Sequence, residues 1–155
     1  SFVTAANAIK YFPIRHADVD KYTPGQQTTD GYVDQTQRIY KEFLIDIVAE
    51  TFTTGNCFFV TEKTVRPILL KKPFIVMGPK CFLIHLRQMG FKTFNDIWDE
   101  SYDLVVDPEE RLVQIADLMK HIANWTPDVR KNKIAQAQTI AEYNKKHFFN
   151  EIFIF

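Results

Sequence analysis

The chain has 155 residues, enough for one domain with a proper core. With 46% hydrophobic and 25% charged residues it is globular rather than disordered, and 19 basic residues against 19 acidic ones argue against a nucleic-acid binder that relies on bulk positive charge, leaving a local basic patch open. No apolar stretch is long enough to span a bilayer and no signal peptide stands at the amino end, so a cytoplasmic protein is the expectation.

Residues 1–33 read as an irregular amino-terminal segment. Ala5 to Tyr11 has the composition of a short helix closed by Pro13, and 22–31 is a loop rich in Thr, Gln and Gly. Asp34 suits the cap of a helix over 35–42, and Phe43 to Val48 is strand-like. Thr51 to Asn56 is a polar loop. The apolar run Cys57 to Val60 then breaks into Thr61-Glu62-Lys63, a helix is expected from Thr64 to Leu70, and the buried-strand run Pro73 to Met77 stops at Gly78-Pro79. A further helix is expected from Lys80 to Met89, with Gly90 as its left-handed terminator. Thr93 or Asn95 opens a helical turn reaching Trp98, and Leu104 to Val106 reads as a short strand or extended link. Asp107-Pro108-Glu109-Glu110 starts a helix to Ala123 that buries Leu112, Ile115, Leu118 and Met119. Thr126-Pro127-Asp128 repeats that signal for a last helix to His147, so 107–155 is a helical carboxyl-terminal third. The apolar tail Phe148 to Phe155 extends that helix, docks on the body or contacts a partner.

Strand, polar turn, helix, strand, glycine is the order in which an α/β domain builds a ligand rim at the carboxyl edge of a parallel sheet. The residues placed at that rim are Glu50, Thr61, Glu62, Lys63, Arg66 and Gly78. Glu62 either accepts hydrogen bonds from ribose hydroxyls or is a helix-start carboxylate favoured by the dipole. Lys63 and Arg66 either neutralise a diphosphate or form a solvated cationic face, and Arg66 has a further option in pairing with Glu62 or Glu50. Glu50 either lines the cleft or is a strand-end carboxylate, and Thr61 is a hydroxyl donor or the helix cap. Gly78 lets a ligand approach the backbone or makes a tight turn.

Elsewhere the acids of Asp99-Glu100-Ser101-Tyr102-Asp103 fit the capping of nearby amides, with Tyr102 packed inward, better than a metal or acid/base pair. His85 is the histidine nearest the rim. Cys57 and Cys81 read as buried free thiols, and no Cys-x-x-Cys or His-x-x-x-His spacing supports a zinc site. No Gly-x-Gly-x-x-Gly or Walker loop occurs, which leaves a dinucleotide enzyme or P-loop kinase without support.

The ordered set of Glu50, Thr61-Glu62-Lys63, Arg66-Pro67, Pro73 to Gly78, Gly90 to Phe94 and Asp99 to Asp103 resembles the donor-binding carboxyl-terminal lobe of GT-B glycosyltransferases. The similarity is to the α1,3-fucosyltransferase-like group, in its bacterial and viral subgroup, and it covers about residues 43 to 115. It implies an α/β, three-layer Rossmann-like domain with a small, mostly parallel sheet. It implies a nucleoside-diphosphate sugar as donor, a GDP-sugar by the pattern, with no separate cofactor or metal, and a glycan or other molecule as acceptor. Such enzymes usually take the catalytic base from a second lobe, and 155 residues cannot hold both. A missing amino-terminal lobe or a partner subunit is therefore expected. The alternative is a non-catalytic binding or oligomerisation module that keeps the fold and associates through Phe148 to Phe155; a nucleotide-binding hydrolase is the third option.

Overall fold

The computed structural model describes residues 38–55 and 58–152. The helix expected at Ala5–Tyr11, the loop at 22–31, Cys57 and the end of the apolar tail lie outside the described residues, as does the start of the helix expected over 35–42, of which 38–42 is helical. The chain divides after Ile39, and all that follows concerns the unit Tyr40–Phe155.

Two strands pair in parallel. β1 (Asp46–Ala49) lies against β2 (Phe74–Met77), with Asp46 opposite Phe74 and Ala49 opposite Met77. The first strand starts later than the apolar run from Phe43 suggests, because the ladder begins where its partner begins. The Asp46 N–H donates to the Pro73 carbonyl at 2.8 Å, whereas the Phe43 carbonyl accepts from the Lys72 ammonium at 2.7 Å. In β2, Phe74, Ile75 and Val76 are all buried, which is why this strand reads as a continuous apolar run rather than an alternation.

Parallel strands need a crossover, and α1 (Glu62–Leu69) supplies it. It begins earlier than Thr64 because Thr61 caps it, its hydroxyl accepting from the Lys63 N–H at 3.2 Å. It ends in a paired turn: the Lys72 N–H reaches the Pro67 carbonyl at 2.8 Å, and the Lys71 N–H reaches that of Ile68 at 3.2 Å. Lys71, at φ 52°, occupies the left-handed position that glycine usually fills. α2 (Phe82–Gln88) starts later than Lys80 because Cys81 is itself left-handed, at φ 65°. Gly90, at φ 89°, terminates it as the sequence suggests.

Of the two options for Leu104 to Val106, a strand does not form, and Val105 is extended backbone following the turn that holds Leu104. A 3-10 turn spans Ser101–Leu104, and the carbonyls of Val105 and Val106 accept from the Arg111 guanidinium. α3 (Pro108–Ala123) opens on Asp107, which accepts from the Glu109 N–H at 3.0 Å. It buries Ile115 and Leu118 as expected, but its third buried residue is Arg111, with Leu112 and Met119 only half-buried. α4 (Pro127–His147) is longer and more polar, burying Ala137, Ala141 and Asn144, and passes at Phe148–Ile152 into a wider turn. The described residues thus form a mixed α/β unit with a two-stranded parallel sheet and a helical carboxyl-terminal region.

The core lies around β2 and α2. Phe82, Phe94 and Leu86 are fully buried, the Phe74 and Phe94 rings meet edge to face at 5.2 Å, and Phe94 stacks on Trp98 at 4.9 Å. Each such side chain contributes roughly 1.5–3 kcal/mol by leaving water. α4 is fastened by the buried Asn144 amide, which accepts from the Lys92 N–H and donates to the Lys92 carbonyl, both at 2.8 Å.

Candidate functional site

The carboxyl ends of both strands and the first turn of α1 meet at one edge, and its organisation rests on two buried charged side chains. The first is Glu50, 5% exposed, immediately after β1. Its carboxylate accepts from the Thr61 N–H at 3.2 Å, from the Thr61 hydroxyl at 2.5 Å and from the Thr64 hydroxyl at 2.5 Å. Three donors from one helix start occupy this carboxylate, so it ties α1 to the end of β1. Thr61 serves both sides of that joint, donating to Glu50 while accepting from Lys63.

The second is Arg111, 1% exposed. Its guanidinium donates to the carbonyl of Thr53 at 2.9 Å, to that of Gly78, and to those of Val105 and Val106. One side chain therefore gathers the loop after β1, the end of β2 and the segment before α3. The rigid fork of arginine suits several acceptors at once, which a lysine cannot match. Arg111 was not among the candidate residues. Its signal was its position four residues before Ile115 and seven before Leu118, on the buried stripe of α3.

Glu62 and Lys63 project together from this edge. Their side chains are 73% and 41% exposed and stand 3.5 Å apart, and the Lys63 ammonium also donates to the Thr51 hydroxyl at 2.9 Å. The Glu62 carboxyl is held below its ordinary range by the backbone N–H at the helix start and then by Lys63. Phe52 and Phe59, in the segments after β1 and before α1, are 58% and 62% exposed.

The other two candidates are placed differently. Arg66 lies beside Tyr40 and Asp46, both of which burial pushes up, and its charge offsets part of that rise. There Tyr40 donates to Asp46 at 2.5 Å, and burial raises the affinity of both groups for their protons. Gly78 is buried against the Phe82 ring, which a Cβ at this position would meet at 2.6 Å. The structure thus brings Glu50, Thr61, Glu62 and Lys63 together; Arg66 stands beside Tyr40 and Asp46 while its charge still reaches Glu62, and Gly78 packs on Phe82. Two depressions of about 430 and 500 Å³ lie along α4, and none of the six residues lines either.

The acidic stretch behaves as amide caps. Asp99 accepts from the Ser101 N–H at 2.8 Å, Glu100 from the Phe94 N–H at 2.8 Å, and Asp103 from the Leu83 N–H at 3.1 Å, while Tyr102 is buried. Burial pushes the Glu100 and Asp103 carboxyls up, against the pull of their N–H donors. His85 packs on Phe58 at 4.9 Å, away from Glu62 and Lys63 in the hydrogen-bond network, and contacts Gln88 at 3.1 Å. Cys81 carries a free, half-buried thiol. No cluster of three metal-ligating side chains occurs among the described residues, and none of their helices is long and apolar enough to cross a membrane.

In comparison with known proteins, no family model, no curated protein and no solved structure matches the chain.

Proposed function

We propose that the carboxyl edge of β1–α1–β2 binds a nucleoside-diphosphate sugar, as the donor lobe of a GT-B, α1,3-fucosyltransferase-like enzyme does. The same proposal includes a three-layer Rossmann-like fold and a cytoplasmic location. The observation that carries it is the exposed Glu62–Lys63 pair on the first turn of α1, held in place from beneath by Glu50 and Thr61. A cation at the positive end of a helix dipole suits a diphosphate, and a carboxylate next to it suits the paired hydroxyls of a ribose. Phe52 and Phe59 offer ring faces for a base. Glu50 and Thr61 act as the frame beneath the ligand, because their polar atoms are engaged with each other.

In the transfer, an acceptor hydroxyl attacks the anomeric carbon, its proton passes to a base, and the bond to the diphosphate breaks. Lys63 and the positive end of the α1 dipole stabilise the charge that grows on the leaving diphosphate. The base comes from a second lobe or a partner. Calorimetric titration with GDP and with UDP tests this. The native chain is expected to bind one of them, and Lys63→Ala to weaken that binding about ten-fold or more. Absence of binding by the native chain overturns the proposal.

A second reading, a non-catalytic assembly module, is favoured by the exposure of Phe52, Phe59, Val106 and Phe149 at 58, 62, 72 and 52%. It predicts no nucleotide binding and a concentration-dependent mass in sedimentation that Phe52→Ser with Phe59→Ser, or Phe149→Ser, abolishes.

A further inference from the structure

We infer that the outer stripe of α4 is a docking groove for an acidic peptide segment of a partner protein. Residues 131, 134, 135, 138, 142, 145, 146 and 149 recur at the helical period and occupy one side of α4 and its closing turn. Two depressions lie along this stripe. One, of about 500 Å³, is lined by Leu44, Lys131, Ile134, Ala135 and Gln138 among others. The other, of about 430 Å³, is lined by Lys71, Glu142, Lys145, Lys146, Phe149 and Asn150. They adjoin where the Gln138 amide donates to the Lys71 carbonyl at 3.0 Å. From Lys131 to Lys146 the groove runs about 22 Å at the usual helical rise.

Its chemistry has two parts. The rim is mainly cationic: Lys71, Lys131, Lys145 and Lys146 line it with Arg130, against the single carboxylate of Glu142, and none of the four lysines has a carboxylate within ion-pair distance among the described residues. The floor is apolar, made of Leu44 at 51% exposure with Ile134 and Ala135, and Phe149 stands at the far end. An acidic peptide with interleaved apolar side chains satisfies both parts. Its carboxylates reach the four amines, and its side chains fill hollows the size of one or two large residues. A nucleic-acid strand offers phosphates for the rim but no aliphatic groups for the floor. A bilayer is broad and reaches the ridges of a concave surface rather than its floor.

The probe is a fluorescein-labelled peptide of about twenty residues repeating Glu-Glu-Leu, long enough to follow the groove when helical. Binding is read by anisotropy. The native chain is expected to bind it, with affinity falling as salt rises. Lys131→Glu with Lys145→Glu and Lys146→Glu is expected to weaken binding about ten-fold or more, since several surface charges act together. Ala135→Gln, which adds bulk without charge at an exposed helix position, tests the floor independently of the rim and is also expected to weaken binding. Circular dichroism checks that both variants stay folded, and Lys63→Ala is expected to leave this binding unchanged. The inference is overturned by any of four results: no binding by the native chain, equal binding by the charge-reversed chain, a Glu-Ser peptide binding as tightly, or a thymidine oligonucleotide or phosphatidylserine vesicles binding as tightly.

Discussion

Glu50→Ala separates a carboxylate that builds the rim from one that touches a ligand. In the structure this carboxylate is 5% exposed and accepts from the Thr61 N–H at 3.2 Å and from the Thr61 and Thr64 hydroxyls at 2.5 Å. Alanine strands all three donors in a site with little access to water. Each buried donor left without a partner costs about 1–3 kcal/mol, and the hydroxyls recover part of that by rotating to other acceptors. The expected loss is about 3–4 kcal/mol. At about 4 °C per kcal/mol for a unit of this size, the Tm falls by about 12–16 °C. Glu50→Gln keeps one carbonyl acceptor and is expected to lose about 1–2 kcal/mol. Urea unfolding followed by circular dichroism measures both, and a double-mutant cycle with Thr64→Val isolates the shared hydrogen bond. A loss below about 1 kcal/mol in Glu50→Ala, together with weakened nucleotide binding, would show that Glu50 is a ligand contact and refute the bracket.

Arg111→Lys is expected to lose about 3 kcal/mol in the same unfolding assay, because a single ammonium cannot serve the carbonyls of Thr53, Gly78, Val105 and Val106. A pair of glycines makes an internal control: Gly90→Ala meets the His147 ring at 2.5 Å and a φ of +89°, whereas Gly55→Ala meets only a φ of +82° with nothing within 4 Å. Gly90→Ala should therefore cost about 2–3 kcal/mol and Gly55→Ala about 1 kcal/mol, and equal losses would contradict the contact with His147. The pH dependence follows from Asp46, Glu100 and Asp103, whose carboxyls burial pushes up in the folded state. Between the unfolded values, 3.8 for aspartate and 4.5 for glutamate, and the raised folded values, the folded chain holds more protons than the unfolded one. Their contribution is therefore fully present below the unfolded values and lost as pH rises through the folded ones. Glu62 is shifted the other way but is fully solvated, so its effect is small. On mild acidification the urea midpoint is expected to rise more, or fall less, in the native chain than in Glu100→Gln, and identical pH profiles would contradict the assignment.

The elements that were legible in the sequence carry their own punctuation. Asp107-Pro108 and Thr126-Pro127 each place a capping oxygen one residue before a proline, and both helices begin there. Gly90 ends α2 in the left-handed region for the reason glycine usually does. The element ends that moved were those decided by distant partners. Asp46 rather than Phe43 opens β1 because Pro73 is its neighbour, and Val105 and Val106 fail to form a strand because Arg111 takes their carbonyls. The candidate site divides along the same line. Glu62 and Lys63 are local to one helix start, so their joint projection could be read from adjacency alone. Arg66 is one turn further on, and whether it joins them depends on Tyr40 and Asp46, which approach from another part of the chain. Arg111 shows the limit most plainly. A charged residue on the apolar stripe of a helix conflicts with the local pattern, and such a conflict is resolved only by what the fold brings to it. Here it brings four carbonyls from three segments, so the shape of the rim is set by a residue more than forty positions beyond the strand and helix that carry the candidate ligand groups. Hence a loop that alters the path of Thr53 or Gly78 without touching Glu62 or Lys63 should change the rim as much as mutating either of them.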